Sequence, residues 1–572
     1  MKDNLFRTGL VAAVISLVPV SGYSQDISQI AKSDPLIITG AVGTQNAYYH
    51  SSSGGFASPL SNSVYANLNI SFYGFSMPFS FYYSNSDLNF SYPRFSFNIS
   101  PTYKNWTLHL GTHVLPMSPY IYNIPFEGAG LEYNGQRLRF GMFYGRLRHA
   151  INDNPLDPKA RSPQYSRMGW GFKVGYGSGR HYLDLYVFKG YDRLSSLAAE
   201  WRRTTEAKEN LSVALRGHTS LGNWMSLTAN VAASVFSTDL SADRIHSDEI
   251  DKWDKIFDAR YSSLYRFAGD VNLNLSLGGV FTSVSYKLVQ PDYTSLGLSY
   301  ISNNYQSLGL SMSGSLTRNI ILSGNFAYQN DNLNNKQLYT TRGYVYSANA
   351  VVNLSRSLNL TAGYSGYLQQ QCAGTMEVND TTRVNRIMHN LHLAPSYSFE
   401  AGGNSHTVSL TGGYTQNKDL NPFSTGESDV KTISYGAGYG VSVERIKTDF
   451  GLNYSHQTSE GYERKYTSDV ISGSAGRSFL EDKNLTASLT LSACRNHIAG
   501  ENTNWSVGVD LYAGYTLKKV HSFSFSAGYS RYNDMNIVDV MKYSSYDLNC
   551  SLNYNYTFTL LELKRKASKK QK

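Results

Sequence analysis

Cysteine is nearly absent: the 572 residues include only Cys372, Cys494 and Cys550. Three scattered thiols make neither a disulfide framework nor the ligand spacing of a metal site. Cys372 is expected in a loop, Cys494 on a polar strand face and Cys550 on an apolar one. Proline is scarce too, at 15 residues against 45 Tyr and 26 Phe. No apolar run reaches the ~20 residues that a membrane-spanning helix needs, and mean hydropathy is −0.35. Catalytic patterns are missing as well. The 13 histidines are scattered, and no Ser/His/Asp order, His-Glu-x-x-His pair or glycine-rich phosphate loop occurs. The chain is therefore not read as an enzyme, and no catalytic residue, cofactor or metal is assigned. The net charge of +9 gives no basic binding face, because residues 562–572 supply +5 and the amino-terminal leader +1, leaving +3 for the rest. Nucleic acid is not expected as a partner.

What the chain has in quantity is alternation. Leu548, Cys550, Leu552, Tyr554, Tyr556, Phe558 and Leu560 are interleaved with Asn549, Ser551, Asn553, Asn555, Thr557 and Thr559. Strand side chains point to opposite faces with period two, so this segment is a strand with one apolar and one polar face. The pattern returns at Val64–Phe72, Phe95–Ile99, Ile320–Tyr328 and Phe523–Tyr529. Strands of about ten residues with an Asn/Ser/Thr/Gly face and abundant aromatics are the mark of a barrel that spans a membrane. Such a barrel leaves no backbone group unpaired in the bilayer.

The connections alternate too. Tight turns such as Asn134-Gly135-Gln136, Gly177-Ser178-Gly179, Gly278-Gly279, Ser355-Arg356-Ser357 and Gly402-Gly403-Asn404 follow even-numbered strands. Long polar stretches such as Leu115–Phe126, His149–Ser166, Asp192–Glu209, Ser237–Ser262 and Gln416–Asp429 follow nearly every odd one. This parity predicts an all-β, antiparallel, up-and-down transmembrane barrel of about 26 strands, with 22–26 compatible with the pattern. Short turns and both termini would lie in the periplasm and long loops outside.

The expected organisation is a signal peptide at 1–24 (Lys2 and Arg7, then an apolar run to Val20), a short periplasmic segment at 25–35, the barrel at 36–561 and a basic periplasmic tail at 562–572. The segment before the first strand has no room for a plug domain, so a barrel this wide needs inward loops or a partner to close it. The longest loop, Ser237–Ser262, is the candidate constriction through Asp243, Asp248, Glu249, Asp251, Asp254 and Asp258, with Trp253 on a short amphipathic helix. A ring of that sign at a mouth favours cations. A second loop helix is expected over Leu194–Lys208. In the tail, Lys564, Arg565, Lys566, Lys569, Lys570 and Lys572 are candidate contacts for acidic headgroups or a periplasmic protein.

The segment Asn134-Gly135-Gln136-Arg137-Leu138-Arg139-Phe140-Gly141-Met142-Phe143-Tyr144-Gly145-Arg146 resembles a hairpin of large outer-membrane barrels of Bacteroidota. So do Pro291-Asp292-Tyr293-Thr294-Ser295-Leu296-Gly297 and Asp331-Asn332-Leu333. The resemblance implies transport, secretion or envelope assembly and carries no functional residues. Two functions follow as expectations: a pore or transport barrel in outer-membrane lipid with a polar lumen gated by loops or a partner, or a structural or assembly barrel acting through protein partners.

Overall fold

The computed structural model describes residues 36–54, 59–85, 95–153, 161–245, 256–379, 381, 383–462, 464–480, 484–498, 504–534 and 543–563. The expected signal peptide at 1–24, the segment 25–35 and the basic residues from Lys564 onward lie outside these residues. The described chain forms 27 strand segments, β1 to β27 in chain order, joined in one antiparallel sheet. The sheet closes on itself: β1 (Leu36–Ser51) pairs with β27 (Tyr543–Leu563) from Leu36↔Leu563 to Ser51↔Asp547.

Segments β4 (Phe95–Ile99) and β5 (Thr102–Tyr103) are two halves of one stave, since both pair with β3 (Phe75–Ser84) on one side and β6 (Trp106–His113) on the other. Proline has no N–H to give the ladder, and the break falls at Ser100-Pro101; the Pro101 carbonyl still accepts the Leu108 amide at 2.9 Å. The 27 segments therefore make 26 staves, and the expected barrel stands. With strands about 4.8 Å apart and tilted about 40°, its perimeter is about 160 Å, that of a circle about 50 Å across.

Cross-strand partners share a face, so the register carries the two-faced pattern around the sheet. Leu552 pairs with Phe525 and Asn553 with Ser524, while Leu322 pairs with Ala350 and Ser323 with Asn349. Leu552, Phe525 and Leu322 are exposed on the outside, and Asn553 donates to Ser524 Oγ on the inside at 3.2 Å. The parity of connections also holds. At one end sit turns such as Gly278-Gly279 and Gly402-Gly403, where φ is positive at both residues, the geometry that matches strand twist and that glycine adopts without strain. At the other end sit the long loops, with one exception: only residues 462–463 join β22 (Thr448–Gly461) to β23 (Arg464–Phe479).

Two local expectations are corrected. Cys372 belongs to strand β18 (Leu358–Ala373), not to a loop. Residues 194–208 form no continuous helix but two single 3-10 turns, Leu194–Ser196 and Trp201–Arg203. Ser196 Oγ bonds the Arg193 carbonyl and the Ser166 amide, and such local side-chain bonds compete with a helix.

Candidate pore constriction

Two of the long loops turn into the barrel. One is the strap 114–125, between β6 and β7 (Phe126–Asn134). The other is the strap 290–304, between β14 (Val280–Val289) and β15 (Tyr305–Thr317). They meet through a parallel bridge, Tyr122↔Gly297. The Asn123 amide donates to the Gly297 carbonyl at 2.7 Å, Ser295 Oγ to the Ile121 carbonyl at 2.7 Å and Tyr293 Oη to the Tyr120 carbonyl at 3.0 Å. Gly297 is required by this contact, since a Cβ there would stand 2.4 Å from the Ile121 carbonyl oxygen.

The joined straps pack on the inner face of the neighbouring staves. Leu115, Ile121, Tyr122 and Tyr293 bury their side chains against Phe126, Phe143, Phe188 and Val289, which occupy inward positions of their strands. Phe126 and Phe143 stack with ring centroids 4.6 Å apart. Polar latches fix the depth of the straps. Asn210 Oδ1 accepts Ser295 Oγ at 3.1 Å and the Leu296 amide at 3.2 Å, and Ser234 Oγ donates to the Thr294 carbonyl at 2.6 Å. Tyr120 Oη donates to Asp270 at 2.8 Å; Asp270 also accepts from Asn230 and Asn272. Buried polar groups are tolerated when paired in this way; Tyr122 Oη and Asn230 Oδ1 are the exceptions among the described strap contacts.

Between the straps and the tight-turn end the same arc of wall carries paired charges. Arg139 and Asp184 stand at 2.7 Å, while Lys173 and His109 approach Glu132 at 3.5 and 3.6 Å. The opposite arc, from β16 (Ile320–Asp331) round to β27, presents Asn325, Ser347, Asn453, Ser472, Asn549 and Ser551 inward, with no strap among the described residues lying over it. The lumen is thus two-sided: one arc padded and apolar under the straps, the other bare and rich in hydroxyls and amides.

No family model and no curated protein matches the chain. Among solved structures it is similar to the P pilus usher PapC translocation pore, at 11% identity and TM-score 0.36, over 91% of this chain and 100% of that one. It is also similar to Acinetobacter baumannii OccAB2 (10% identity, TM-score 0.31, 62% of this chain and 93% of that one) and to Pseudomonas aeruginosa OprD (11%, 0.32, 66% and 95%). These loose superpositions carry no functional argument, so function must be read from the barrel's own residues.

Of the expected constriction residues, Asp243 and Asp258 are described; Asp248, Glu249, Asp251, Trp253 and Asp254 lie outside the described residues, as do Lys564, Arg565, Lys566, Lys569, Lys570 and Lys572 of the tail. Asp258 pairs with Arg244 at 2.7 Å, and the two arms of the loop bridge at Arg244↔Arg260. The Asp243 carbonyl accepts the Tyr261 amide at 3.1 Å. Hydrogen bonds from the Ser241 hydroxyl and amide hold the Asp239 carboxyl below its usual range. The returning arm rests on the outside of the barrel: the Ile256 carbonyl accepts Lys189 Nζ, and Lys189 shares its face with Trp170 and Leu211. The straps were missed from sequence. Their signal was an apolar loop, Leu115-Pro116-Met117 and Tyr120-Ile121-Tyr122, facing strands apolar on both faces such as Leu138–Arg148, since a strand buried on both sides loses its polar alternation.

Proposed function

We propose that this chain is a non-enzymatic outer-membrane pore that passes hydrophilic solutes along the bare arc of its lumen, with the strap pair as a fixed constriction. It would be one of the large barrels that residues 134–146 resemble, and the tight turns with both termini would face the periplasm. The carrying observation is the two-sided interior. Inward loops latched to one arc by Asn210, Ser234 and Asp270 narrow a closed 26-stave barrel, and the remaining wall of hydroxyls and amides suits a wetted channel. The test is planar-bilayer recording of the purified full-length protein. Steady conductance without any added protein supports the reading. A silent barrel that is recovered from solubilised membranes with a stoichiometric partner would replace it with the assembly function.

A further inference from the structure

A cavity of about 620 Å³ lies at the long-loop mouth, where strands β8 (Leu138–Arg148), β9 (Arg167–Ser178) and β10 (His181–Asp192) reach the loops. Its floor is electrostatically lopsided. Asp192, whose side chain is 1% exposed, accepts Arg167 Nε at 2.8 Å and Nη2 at 3.1 Å in a forked pair, and the Lys208 backbone amide at 3.1 Å. That leaves little of the carboxylate for the second guanidinium, and Arg148 Nη2 reaches it only at 3.5 Å. Lys208 Nζ makes no ion pair among the described residues, and neither does Glu206, the other acid on the cavity wall, which is exposed.

Three cations, Arg148, Arg167 and Lys208, therefore line the cavity against two carboxylates, the buried Asp192 and the exposed Glu206. Partly buried charge is stable when it is paired and hydrogen-bonded, and this set is one anion short. Arg148 is held in place for that anion. Its Nε donates to the Tyr165 carbonyl at 3.3 Å, which sets the guanidinium plane and leaves the Nη1 hydrogens unclaimed. Tyr165 is buried and Trp201 half-buried in the same wall, giving a ligand an aromatic surface beside the charged one.

We propose that this cavity is a binding site for a small soluble anion bearing a carboxylate or phosphate, held by Arg148 and Lys208 over the Arg167–Asp192 pair. Guanidinium and ammonium donors on one side match such an oxyanion, and a site at the mouth of the barrel would concentrate it there. Nothing in this inference requires the barrel to conduct.

The test uses full-length protein in detergent at low ionic strength, titrated with citrate, with inorganic phosphate and with uncharged maltose, and followed by calorimetry. Wild type is expected to bind citrate and phosphate but not maltose. Lys208→Gln leaves the Asp192 network intact, because the Lys208 contact comes from its backbone; it and Arg148→Gln should each weaken citrate binding about tenfold, as for loss of one charge-assisted hydrogen bond. The two together should lose it, with heat-modifiable folding unchanged. Equal citrate affinity in wild type and the double variant, or no affinity in wild type, overturns the proposal. Native mass spectrometry separates the other source of the same chemistry. A phospholipid that copurifies with wild type and is lost from Arg148→Gln, without citrate binding, would make the site a headgroup site and refute the soluble ligand. If Arg148→Gln fails to fold, Lys208→Gln alone decides.

Discussion

Replacing Tyr293 by Ala should release the strap pair while leaving the barrel closed. Tyr293 is wholly buried, belongs to no strand, and ties strap to strap through its bond to the Tyr120 carbonyl. Truncating a buried aromatic costs about 3–5 kcal/mol through lost packing and the cavity left behind. The orphaned Tyr120 carbonyl adds about 1 kcal/mol. None of this falls on the inter-stave ladders, so it is a local penalty. At about 1.4 kcal/mol per tenfold, a penalty near 4 kcal/mol raises the population of released strap by about a thousandfold. Leu296→Cys, buried in the same strap, reports this directly in a background without the three native thiols. Its maleimide labelling should accelerate by about that factor when Tyr293→Ala is added. In bilayers, conductance should rise by roughly 1.5-fold or more, because the straps cover an arc of about ten of the 26 staves and current follows the open section. A variant whose strap labels rapidly but whose conductance equals wild type would refute the straps as the constriction.

Other expectations test other layers of the structure. Gly297→Ala forces a Cβ to within 2.4 Å of the Ile121 carbonyl oxygen and should loosen the same straps, read as faster Leu296→Cys labelling with unaltered heat-modifiable migration. Leu552→Arg or Leu322→Arg, on the outer apolar face, should cost about 2–4 kcal/mol of folding stability in a bilayer, and Asn553→Arg or Ser323→Arg on the inner face far less; equal losses would mean the faces are misassigned. Cysteine at Ser195, in a long loop, should react with an impermeant maleimide on intact cells while cysteine at Ser178, beside a tight turn, should not. The reverse pattern would invert the orientation and leave the barrel standing.

The barrel was legible in the sequence because its two signals are local and repeat. Period-two alternation such as that of residues 548–559 places each strand's faces without knowledge of its neighbours, and the turn chemistry of Gly278-Gly279 or Gly402-Gly403 ends strands where φ turns positive. The break at Pro101 costs one apparent strand but no stave. The interior was not legible, because it depends on contacts between residues far apart. Tyr120 meets Asp270 and Ser295 meets Ile121 across more than 140 residues, and nothing in the periodicity of either loop says which way it folds. Charge drew attention to Ser237–Ser262, but of its candidate residues only Asp243 and Asp258 are among the described ones. The padding that lines one arc of the barrel came from two loops with almost no charge, whose apolar residues would be out of place in solvent.

The interruption at Ser100-Pro101 sets how the hoop would yield under load. Around most of the circumference, neighbouring staves are stitched along ten or more residues, and the two ends of the chain are joined from Leu36↔Leu563 to Ser51↔Asp547. At the broken stave the described stitching thins to Asn98↔Gly111 and Ile99↔Leu110 on one half and to Thr102↔Thr107 and Tyr103↔Trp106 on the other. Strength along a seam of parallel bonds scales with their number, so the place where the chain begins and ends is a well-fastened joint. A barrel squeezed sideways or pulled open would tear first between β4 and β6, where the described ladder is shortest.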